Sequence, residues 1–251
     1  GPRAITVDAA GNAVIVDPDW VVPYPGSKPG LVLSPAEAEL SSFGNQAPVS
    51  PFTAAEDFNY PVAAATLLNG NIVVTNQYGY SLKEYSIDAA TGAMTFVRNI
   101  STRAPANSVC PGDSGAHAPY GVAVDPVTGD ILVNFLYNFG GTAGPGCTSF
   151  VSRYDATSGA FISRMGVGNF APAMDGYAVA VDPITRDVYA SQRDGQGYVF
   201  SAAGAYLGRF AAFNTPTGAN TGNGQVPTGE ANGIRGVAFD ENGFLYATTG
   251  Q

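Results

Sequence analysis

The sequence predicts an all-β protein, a β-propeller built from four-stranded antiparallel blades. A short hairpin phrase, seen in full as PYGVAVDPVTGDILVN at 119–134, returns five times along the chain. Its turn positions Gly11, Gly70, Gly129, Arg186 and Gly243 follow one another at steps of 59, 59, 57 and 57 residues. A second strand-turn-strand phrase lies between the copies. Four strands recurring at a nearly constant spacing of this size are typical of propeller blades.

Each copy of the first phrase predicts the two inner strands of a blade. In the third copy, Val122 to Val124 and Ile131 to Val133 flank a turn that contains Pro126 and Gly129. Proline presets φ at an early turn position, and glycine accepts the positive φ that closes the hairpin. Aspartates recur in register at the start of these turns, and we expect each to accept backbone N–H bonds within its own turn. They are Asp8, Asp125, Asp182 and Asp240.

The second phrase predicts a more polar outer pair of strands, at 82–100, 149–167 and 198–210. In the first repeat the outer strands are predicted at Trp20 to Tyr24 and Gly30 to Leu33. A long irregular connection from Ser34 to Tyr60 is expected to follow, in which Pro35 to Leu40 suit one turn of helix. The fifth inner pair has no outer pair after it, so we expect either that the last blade is two-stranded or that the sequence is a piece of a longer chain.

The repeats run through the whole chain and predict one β-propeller domain at 1–251, with repeats near 1–60, 61–118, 119–175, 176–233 and 234–251. In an antiparallel blade, the turns within the inner and outer pairs lie on one face, and all other connections lie on the opposite face. Every long connection belongs to the second set: 34–60, 101–119, 135–148, 168–176 and 211–233. Loops on a rigid scaffold are where ligands bind, so this face is the predicted binding surface.

Composition and charge exclude two classes of partner. Only 12% of residues are charged, the formal net charge is −9, and no cluster of Lys and Arg occurs. Nothing would therefore neutralise a nucleic-acid backbone. No apolar run reaches the roughly 18 residues that a membrane span needs. We expect a soluble chain with no nucleic-acid partner and no membrane span.

The two cysteines, Cys110 and Cys147, precede the first and third strands of the same predicted blade. Both therefore fall on the long-loop face, which favours a disulfide bond between them over two unrelated free thiols. A disulfide indicates an oxidising compartment. We expect a secreted or extracellular protein, and a periplasmic location satisfies the same condition.

Three inner hairpins, at 121–135, 178–191 and 236–248, resemble the NHL repeat, whose inner hairpin reads G-V-A-V-D-x-x-G-x-I/L-Y-V. Tyr206 to Phe210 resembles the hydrophobic-Gly-x-Phe phrase of its outer hairpin. The resemblance is specific for the propeller fold and uninformative about activity. NHL-like propellers include binding modules, and related propellers include secreted lyases and lactonases with a metal ion or a base at the mouth of the central channel.

Oxygen-bearing side chains enter the inner strands at the expected channel mouth. They are Glu56, Asp57, Asp175, Glu230 and Asn232. Oxygen ligands of this kind suit calcium, and the resemblance adds that lactonases hold a divalent ion with a comparable Glu/Asn/Asp cluster. The alternative is that these residues are solvated and cap strand ends. His117 is the sole histidine, which argues against a zinc centre of several imidazoles and leaves only a lone general base to consider.

Aromatic side chains are frequent in and beside the long loops. The predicted binding face contains Phe58, Tyr60, Tyr78, Tyr80, Tyr137, Phe139, Phe170 and Phe213. Such rings stack on sugars, pack in protein interfaces or fill space beneath loops. We expect a non-catalytic secreted binding or assembly module that presents this face to a protein or a carbohydrate. One alternative is a secreted hydrolase or lyase with a central divalent cation. Another is a subunit that self-assembles into an extracellular polymer through the open edge of the last blade.

Overall fold

The computed structural model describes residues 3–17, 29–46, 57–102, 118–136, 150–167, 176–192, 196–210 and 234–249. These residues form an all-β propeller with four four-stranded antiparallel blades and a two-stranded fifth sheet. The predicted fold class is confirmed. Within the described ranges the helical structure is a single 3-10 turn at Gln77–Gly79, and no helix has the length and apolar character that a transmembrane segment needs.

Blade 1 contains β1 (Ala4–Val7), β2 (Ala13–Val16), β3 (Gly30–Leu33) and β4 (Glu39–Phe43). A short parallel pair, β5 (Asn45–Gln46) and β6 (Asp57–Phe58), precedes blade 2. Blade 2 contains β7 (Pro61–Thr66), β8 (Ile72–Asn76), β9 (Ser81–Ile87) and β10 (Met94–Ser101). Blade 3 contains β11 (Ala118–Val124), β12 (Ile131–Leu136), β13 (Val151–Tyr154) and β14 (Phe161–Met165). Blade 4 contains β15 (Gly176–Val181), β16 (Val188–Gln192), β17 (Gly197–Phe200) and β18 (Tyr206–Phe210), and the fifth sheet pairs β19 (Ile234–Phe239) with β20 (Leu245–Thr249).

Strands pair in chain order within each blade, so the two faces of the propeller differ as predicted. The turns that join the inner pairs and the outer pairs lie on one face, which we call the short-turn face. The remaining connections lie on the opposite face, the long-loop face. The turn aspartates act as predicted: the Asp8 carboxylate accepts bonds from the N–H groups of Ala10 and Asn12 at 2.9 and 2.8 Å. Asp125, Asp182 and Asp240 bind backbone N–H groups of their own turns in the same way.

The outer pair of blade 1 differs from the prediction. Gly30–Leu33 is the third strand rather than the fourth, and the fourth strand is Glu39–Phe43, within the segment expected to be irregular. The predicted helical turn is a hairpin turn instead, in which Ser34 and Ala38 bond through their backbones at 2.9 Å and Glu37 adopts a φ of 62°. The connection at 34–38 therefore belongs to the short-turn face. The predicted strand at Trp20 to Tyr24 lies outside the described residues.

The hydrophobic core lies between neighbouring blades. Ile72 and Val74 of β8 pack toward blade 1 with Val14 and Tyr85, whereas Val73, between them, packs toward blade 3 with Ile131. Because both sheet faces are covered, β8 is buried along its whole length rather than alternately. A third cluster, around Val188 and Tyr198, joins blades 3 and 4. Blades 1 to 4 are thus held together by an apolar cluster between each pair of neighbours.

The inner strands of blades 2 to 5 each contain a register irregularity near their first residues. A polar residue stands at the fourth position of the partner strand in each case: Thr75, Asn134, Ser191 and Thr248. The Thr75 hydroxyl accepts a bond from Ala63 N–H at 2.9 Å, and the Ser191 hydroxyl accepts one from Ala178 N–H at 3.0 Å. In blades 2 and 4 these hydroxyls take the place of ladder bonds that the bulge removes. In blade 1 the equivalent residue is Val16, and the register is regular.

Candidate functional site

The first strands of the five sheets surround a central cavity of about 310 Å³. They are β1, β7, β11, β15 and β19. Its walls are made of small residues from successive strands, including Ala4, Ala63, Gly121, Ala178 and Gly236. At Gly121 the strands β11 and β15 approach so closely that a Cβ would lie 2.4 Å from the Tyr177 carbonyl oxygen. Small side chains therefore both allow the inner strands to pack and leave the channel open.

Large polar side chains stand where the inner strands begin, on the long-loop face. We call Arg3, Tyr60, Tyr78, Tyr80, Tyr120, Tyr177 and Arg235 the mouth cluster. Counted four residues back from the last residue of each inner strand, the equivalent positions in the five blades are Arg3, Val62, Tyr120, Tyr177 and Arg235. All five line the cavity, and four of them are Arg or Tyr. Val62 and Tyr177 are buried, whereas Arg3 and Arg235 are exposed and Tyr120 is half-buried. The ring is therefore built from one structural position repeated around the propeller.

Arg3 links the two sides of the mouth cluster. Its Nη1 donates to the Tyr120 hydroxyl at 3.1 Å, its Nη2 donates to the Tyr60 hydroxyl at 3.3 Å, and its guanidinium lies 5.9 Å from the centre of the Tyr60 ring. The Tyr120 ring contacts the Tyr177 ring with centroids 5.2 Å apart. The Arg235 guanidinium lies 4.5 Å from the centre of the Tyr177 ring. The two guanidinium groups thus flank the contacting pair of rings, in the order Arg3, Tyr120, Tyr177 and Arg235.

Tyr60 and Tyr78 are held by a set of backbone bonds. Asn76 Oδ1 accepts a bond from Asn59 N–H at 2.6 Å, Tyr78 N–H donates to the Asn59 carbonyl at 3.0 Å, and Gln77 N–H donates to the Tyr60 carbonyl at 3.2 Å. The Tyr60 and Tyr78 rings lie 5.4 Å apart.

Two tyrosines of the mouth cluster have left-handed backbone conformations. The φ angles of Tyr60 and Tyr80 are 65° and 50°. Bulky residues rarely adopt this region, and such strain concentrates at functional sites. Tyr60 bonds to Arg3 and Tyr80 packs against the cluster of Ala118 and Tyr177. Arg3 and Tyr177 line the cavity, which favours a functional role for this end of the channel.

The structure divides the predicted aromatic binding face. Tyr60, Tyr78 and Tyr80 are partly exposed at the mouth, and Tyr78 is 40% exposed. Phe58 is fully buried: its ring stacks on Tyr85 at 6.0 Å and meets Phe43 edge to face at 6.5 Å. This ring fills the space between blades 1 and 2 and is not available to a ligand. Tyr137, Phe139, Phe170 and Phe213 lie outside the described residues.

The predicted cation ligands mostly fall outside the described part of the chain. Glu56, Asp175, Glu230 and Asn232 are not described, and of Asp57 only the backbone in β6 is. Within the ranges that are described, no group of three or more His, Cys, Asp or Glu side chains is placed to hold a metal ion. Cys110, Cys147 and His117 are likewise outside. The calcium, disulfide and general-base hypotheses therefore stay predictions.

A second cavity, of about 510 Å³, lies on the short-turn face between blades 2 and 3. The buried Glu84 carboxylate at its wall accepts bonds from Arg98 Nε and Asn71 Nδ2, both at 2.6 Å. Arg98 also donates to the carbonyls of Ala156 and Thr157 in blade 3. The charged groups here are occupied in joining the two blades, which indicates a structural role.

Four members of the mouth cluster, Arg3, Tyr120, Tyr177 and Arg235, were absent from the predicted site residues. The signal that identifies them is the register of the repeats, because each stands at the same distance from the end of its inner strand. Reading the copies by their turn glycines alone misses this register, since the turns differ in length. Counting back from the strand end brings the four residues together.

Comparison with solved structures gives β-propellers of low sequence identity. A selenomethionine-substituted virginiamycin B lyase from Staphylococcus aureus matches with a TM-score of 0.59 and 13% identity, over 99% of this chain and 63% of that one. A streptogramin B lyase matches with a TM-score of 0.58 and 14% identity, over 99% and 62%. The Dos1 propeller matches with a TM-score of 0.57 and 11% identity, over 99% and 53%.

The chain therefore spans less than two thirds of the length of these three structures. Identities of this level show the shared fold alone. No family model matches the sequence. No curated protein matches it either.

Proposed function

We propose that this chain is a non-catalytic, secreted binding module of the NHL-like propeller type, and that it takes its ligand at the mouth cluster on the long-loop face. The observation that carries the proposal is the set of Arg3, Tyr120, Tyr177 and Arg235 around one cavity, with Tyr60 bonded to Arg3. Concave sites with a few convergent polar groups are the usual place for a ligand. Tyrosine and arginine are also the side chains that contribute most at recognition surfaces.

The rigid surroundings of the cluster support binding without chemistry. Its side chains are fixed by the inner strands and by the bonds between 59–60 and 76–78, so little conformational entropy is lost when a ligand is bound. Phenols and guanidinium groups supply hydrogen bonds, stacking and charge. They are well suited to hold a protein or carbohydrate ligand, whereas imidazoles and carboxylates are the usual general bases.

Calorimetry with defined probes tests this proposal. The purified chain is titrated with a panel of neutral and acidic oligosaccharides and of acidic and basic peptides. We expect Tyr120→Ala to weaken binding of the responding probe at least tenfold, because it removes a ring and a hydroxyl from the mouth. Tyr206→Ala is the matched control, since Tyr206 lies on the outer strand β18. Equal effects of the two substitutions would contradict the proposal.

The enzymatic alternative makes a different prediction. A hydrolase or lyase with a central divalent cation near Asp175 and Glu230 would bind calcium, and the double substitution of both residues by Ala would abolish that binding. A hydrolase or lyase would also cleave a bound probe that is its substrate. Mass spectrometry of the probe after long incubation with the chain and calcium therefore separates the two functions: an unchanged probe supports a binding module, and a cleaved one supports the enzyme.

Self-assembly is a second candidate function, favoured by the fifth sheet. Phe244, which precedes β20, and Tyr246 on β20 are 67% and 60% exposed. Ile5 and Val7 on β1 are 64% and 54% exposed. In the four complete blades the second strand pairs with a third, whereas no described strand pairs with β20 on that side. A second copy of this chain is the occupant we propose, since apolar strand edges promote addition of further strands.

A further inference from the structure

The mouth cluster has the chemistry of a site for a carboxylated sugar. This inference rests on the binding function proposed above and concerns the class of ligand. Two features of the cluster have to be explained together: two guanidinium groups at one opening in a chain with only 11 Lys and Arg, and aromatic rings set between them. We propose that the opening binds the end of an acidic oligosaccharide whose sugars carry carboxylates.

The guanidinium groups define the charge of the ligand. Arg3 and Arg235 are both exposed and both line the cavity. An arginine presents its donors in a planar fork that fits the two oxygens of a carboxylate. Arg3 uses Nη1 and Nη2 on the Tyr120 and Tyr60 hydroxyls, so the phenols also fix the plane of this fork. A planar anion is therefore a better match than a neutral group.

The aromatic rings define the rest of the ligand. Tyr60 and Tyr120 are half-buried and carry their rings and hydroxyls at the opening, whereas Tyr177 is buried and packs against the Tyr120 ring. Sugars offer both apolar faces for stacking and hydroxyls for hydrogen bonds. The cavity of about 310 Å³ is at the lower end of the range for ligand pockets. It suits one or two sugar units at a chain end better than an extended peptide, which needs a longer groove or a free sheet edge.

A pair of probes that differ only in charge tests the inference. The chain is titrated by calorimetry with a trimer of galacturonic acid and with the same trimer fully methyl-esterified. We expect the acidic trimer to bind and the ester to bind at least tenfold more weakly, because esterification removes the anion and leaves the sugar rings. The affinity for the acidic trimer should also fall between about 50 mM and about 500 mM salt, since screening weakens exposed charge pairs.

Substitutions assign the effect to the two arginines. Arg3→Gln and Arg235→Gln should each lower affinity for the acidic trimer at least tenfold and leave affinity for the ester unchanged. Arg209→Gln, on the outer strand β18, is the control and should change neither. Circular dichroism and melting temperature establish that each variant is folded.

Each outcome decides the question. If the ester binds as tightly as the acid, the anionic part of the inference fails while a binding function at this face survives. Tighter binding of a tetraglutamate peptide than of the acidic trimer would overturn the sugar part and indicate an acidic protein partner. If none of these probes binds, the inference is overturned, and the broader panel with Tyr120→Ala decides the proposed function separately.

Discussion

At the scale of single residues, Arg186 shows how one substitution in a repeat acquires a new role. It stands where glycine closes the other inner turns, and it keeps the left-handed conformation with a φ of 64°. Its side chain compensates by reaching the neighbouring blade, where Nη2 and Nε bind the two oxygens of Asp125 at 2.7 and 3.1 Å. Asp125 is completely buried. The turn aspartate of blade 3 is therefore also a link to blade 4.

Replacing Asp125 by Asn tests this link. Burial of the Asp125 carboxylate raises its pKa, but the bonds from Arg186 and from the N–H groups of Val127 and Thr128 outweigh burial and lower the pKa to about 2. The folded pKa lies below the unfolded one, so the stabilisation is present above about pH 4 and is lost as the pH falls toward 2. We expect D125N to lower the free energy of unfolding by about 2 kcal/mol at pH 7, measured by urea denaturation, and the difference to shrink in acid.

The control for D125N is D88N. Asp88 accepts the same kind of turn bonds, from Ala90 and Thr91, but it is exposed, and no arginine among the described residues bonds to it. Asn can retain most of these turn bonds, so D88N should alter stability far less than D125N. Equal losses in the two variants would show that the turn, and not the pair with Arg186, accounts for the stabilisation.

At the scale of the strand, the bulges that begin blades 2 and 4 are bonded by buried hydroxyl groups, those of Thr75 and Ser191. The Thr75 hydroxyl accepts bonds from the N–H groups of Ala63 and Val62 at 2.9 and 3.3 Å, and Thr75 is fully buried. Thr75→Val keeps the shape and removes the acceptor, which leaves buried N–H groups unsatisfied at a cost of about 1–3 kcal/mol. Thr75→Ser keeps the hydroxyl and should lose less. Chemical denaturation of both variants checks this; a valine variant as stable as the serine variant would contradict it.

The close approach of β11 and β15 gives a second prediction for the inner strands. In Gly121→Ala the new Cβ would lie 2.4 Å from the Tyr177 carbonyl oxygen, so blades 3 and 4 must separate. We expect a loss of more than about 2 kcal/mol in the free energy of unfolding, because packed interiors accommodate extra atoms poorly. Because Tyr120 and Tyr177 adjoin this contact, binding at the mouth should weaken as well.

Gly70→Ala is the matched control for Gly121→Ala. Gly70 has a positive φ of 85°, and a Cβ added at this position would meet no atom within 4 Å. Alanine at position 70 therefore costs only the strain of the left-handed backbone, about 1 kcal/mol. Thermal melts of the two variants separate steric crowding from backbone strain. A Gly70 variant destabilised as strongly as the Gly121 variant would indicate that crowding between blades is unimportant.

The same elements show what the sequence can and cannot predict. Inner hairpins were predictable because their turns combine a capping aspartate with glycine, a strong local signal. The fourth strand of blade 1 was missed because Glu37, a residue without that signal, takes the left-handed position of its turn. The mouth cluster was missed in part because which residues meet across blades depends on bulges and turn lengths, which are properties of strand pairing rather than of spacing. Burial of Phe58 follows from packing against Tyr85, far away in sequence.

At the scale of the whole molecule, the propeller is asymmetric in how its sheets are covered. The second strands of blades 2 and 3, β8 and β12, are buried along the residues whose burial is described, whereas β20, the second strand of the fifth sheet, exposes most of its length. The central channel is bounded by all five inner strands, and Tyr246 of β20 belongs to its wall. A single sheet thus contributes both to the candidate binding site and to the exposed apolar edge. Association of copies at this edge and binding at the mouth would therefore influence one another.

Charge determines when such association is expected. The chain carries a formal net charge of −9 at pH 7 and has a pI near 4.4, so copies repel one another at neutral pH and lose that repulsion in mild acid. We expect light scattering to detect larger particles near pH 4.4 than at pH 7. The double substitution Phe244→Ser and Tyr246→Ser should reduce the increase in particle size, because it removes the exposed rings that a second copy would cover.

The control is Leu207→Ser. Leu207 is an exposed apolar residue on β18, and its substitution should leave the increase in particle size unchanged. A wild-type chain that stays monomeric at both pH values and high concentration would rule out self-assembly through the fifth sheet, and an equal effect of the control would show that association is nonspecific.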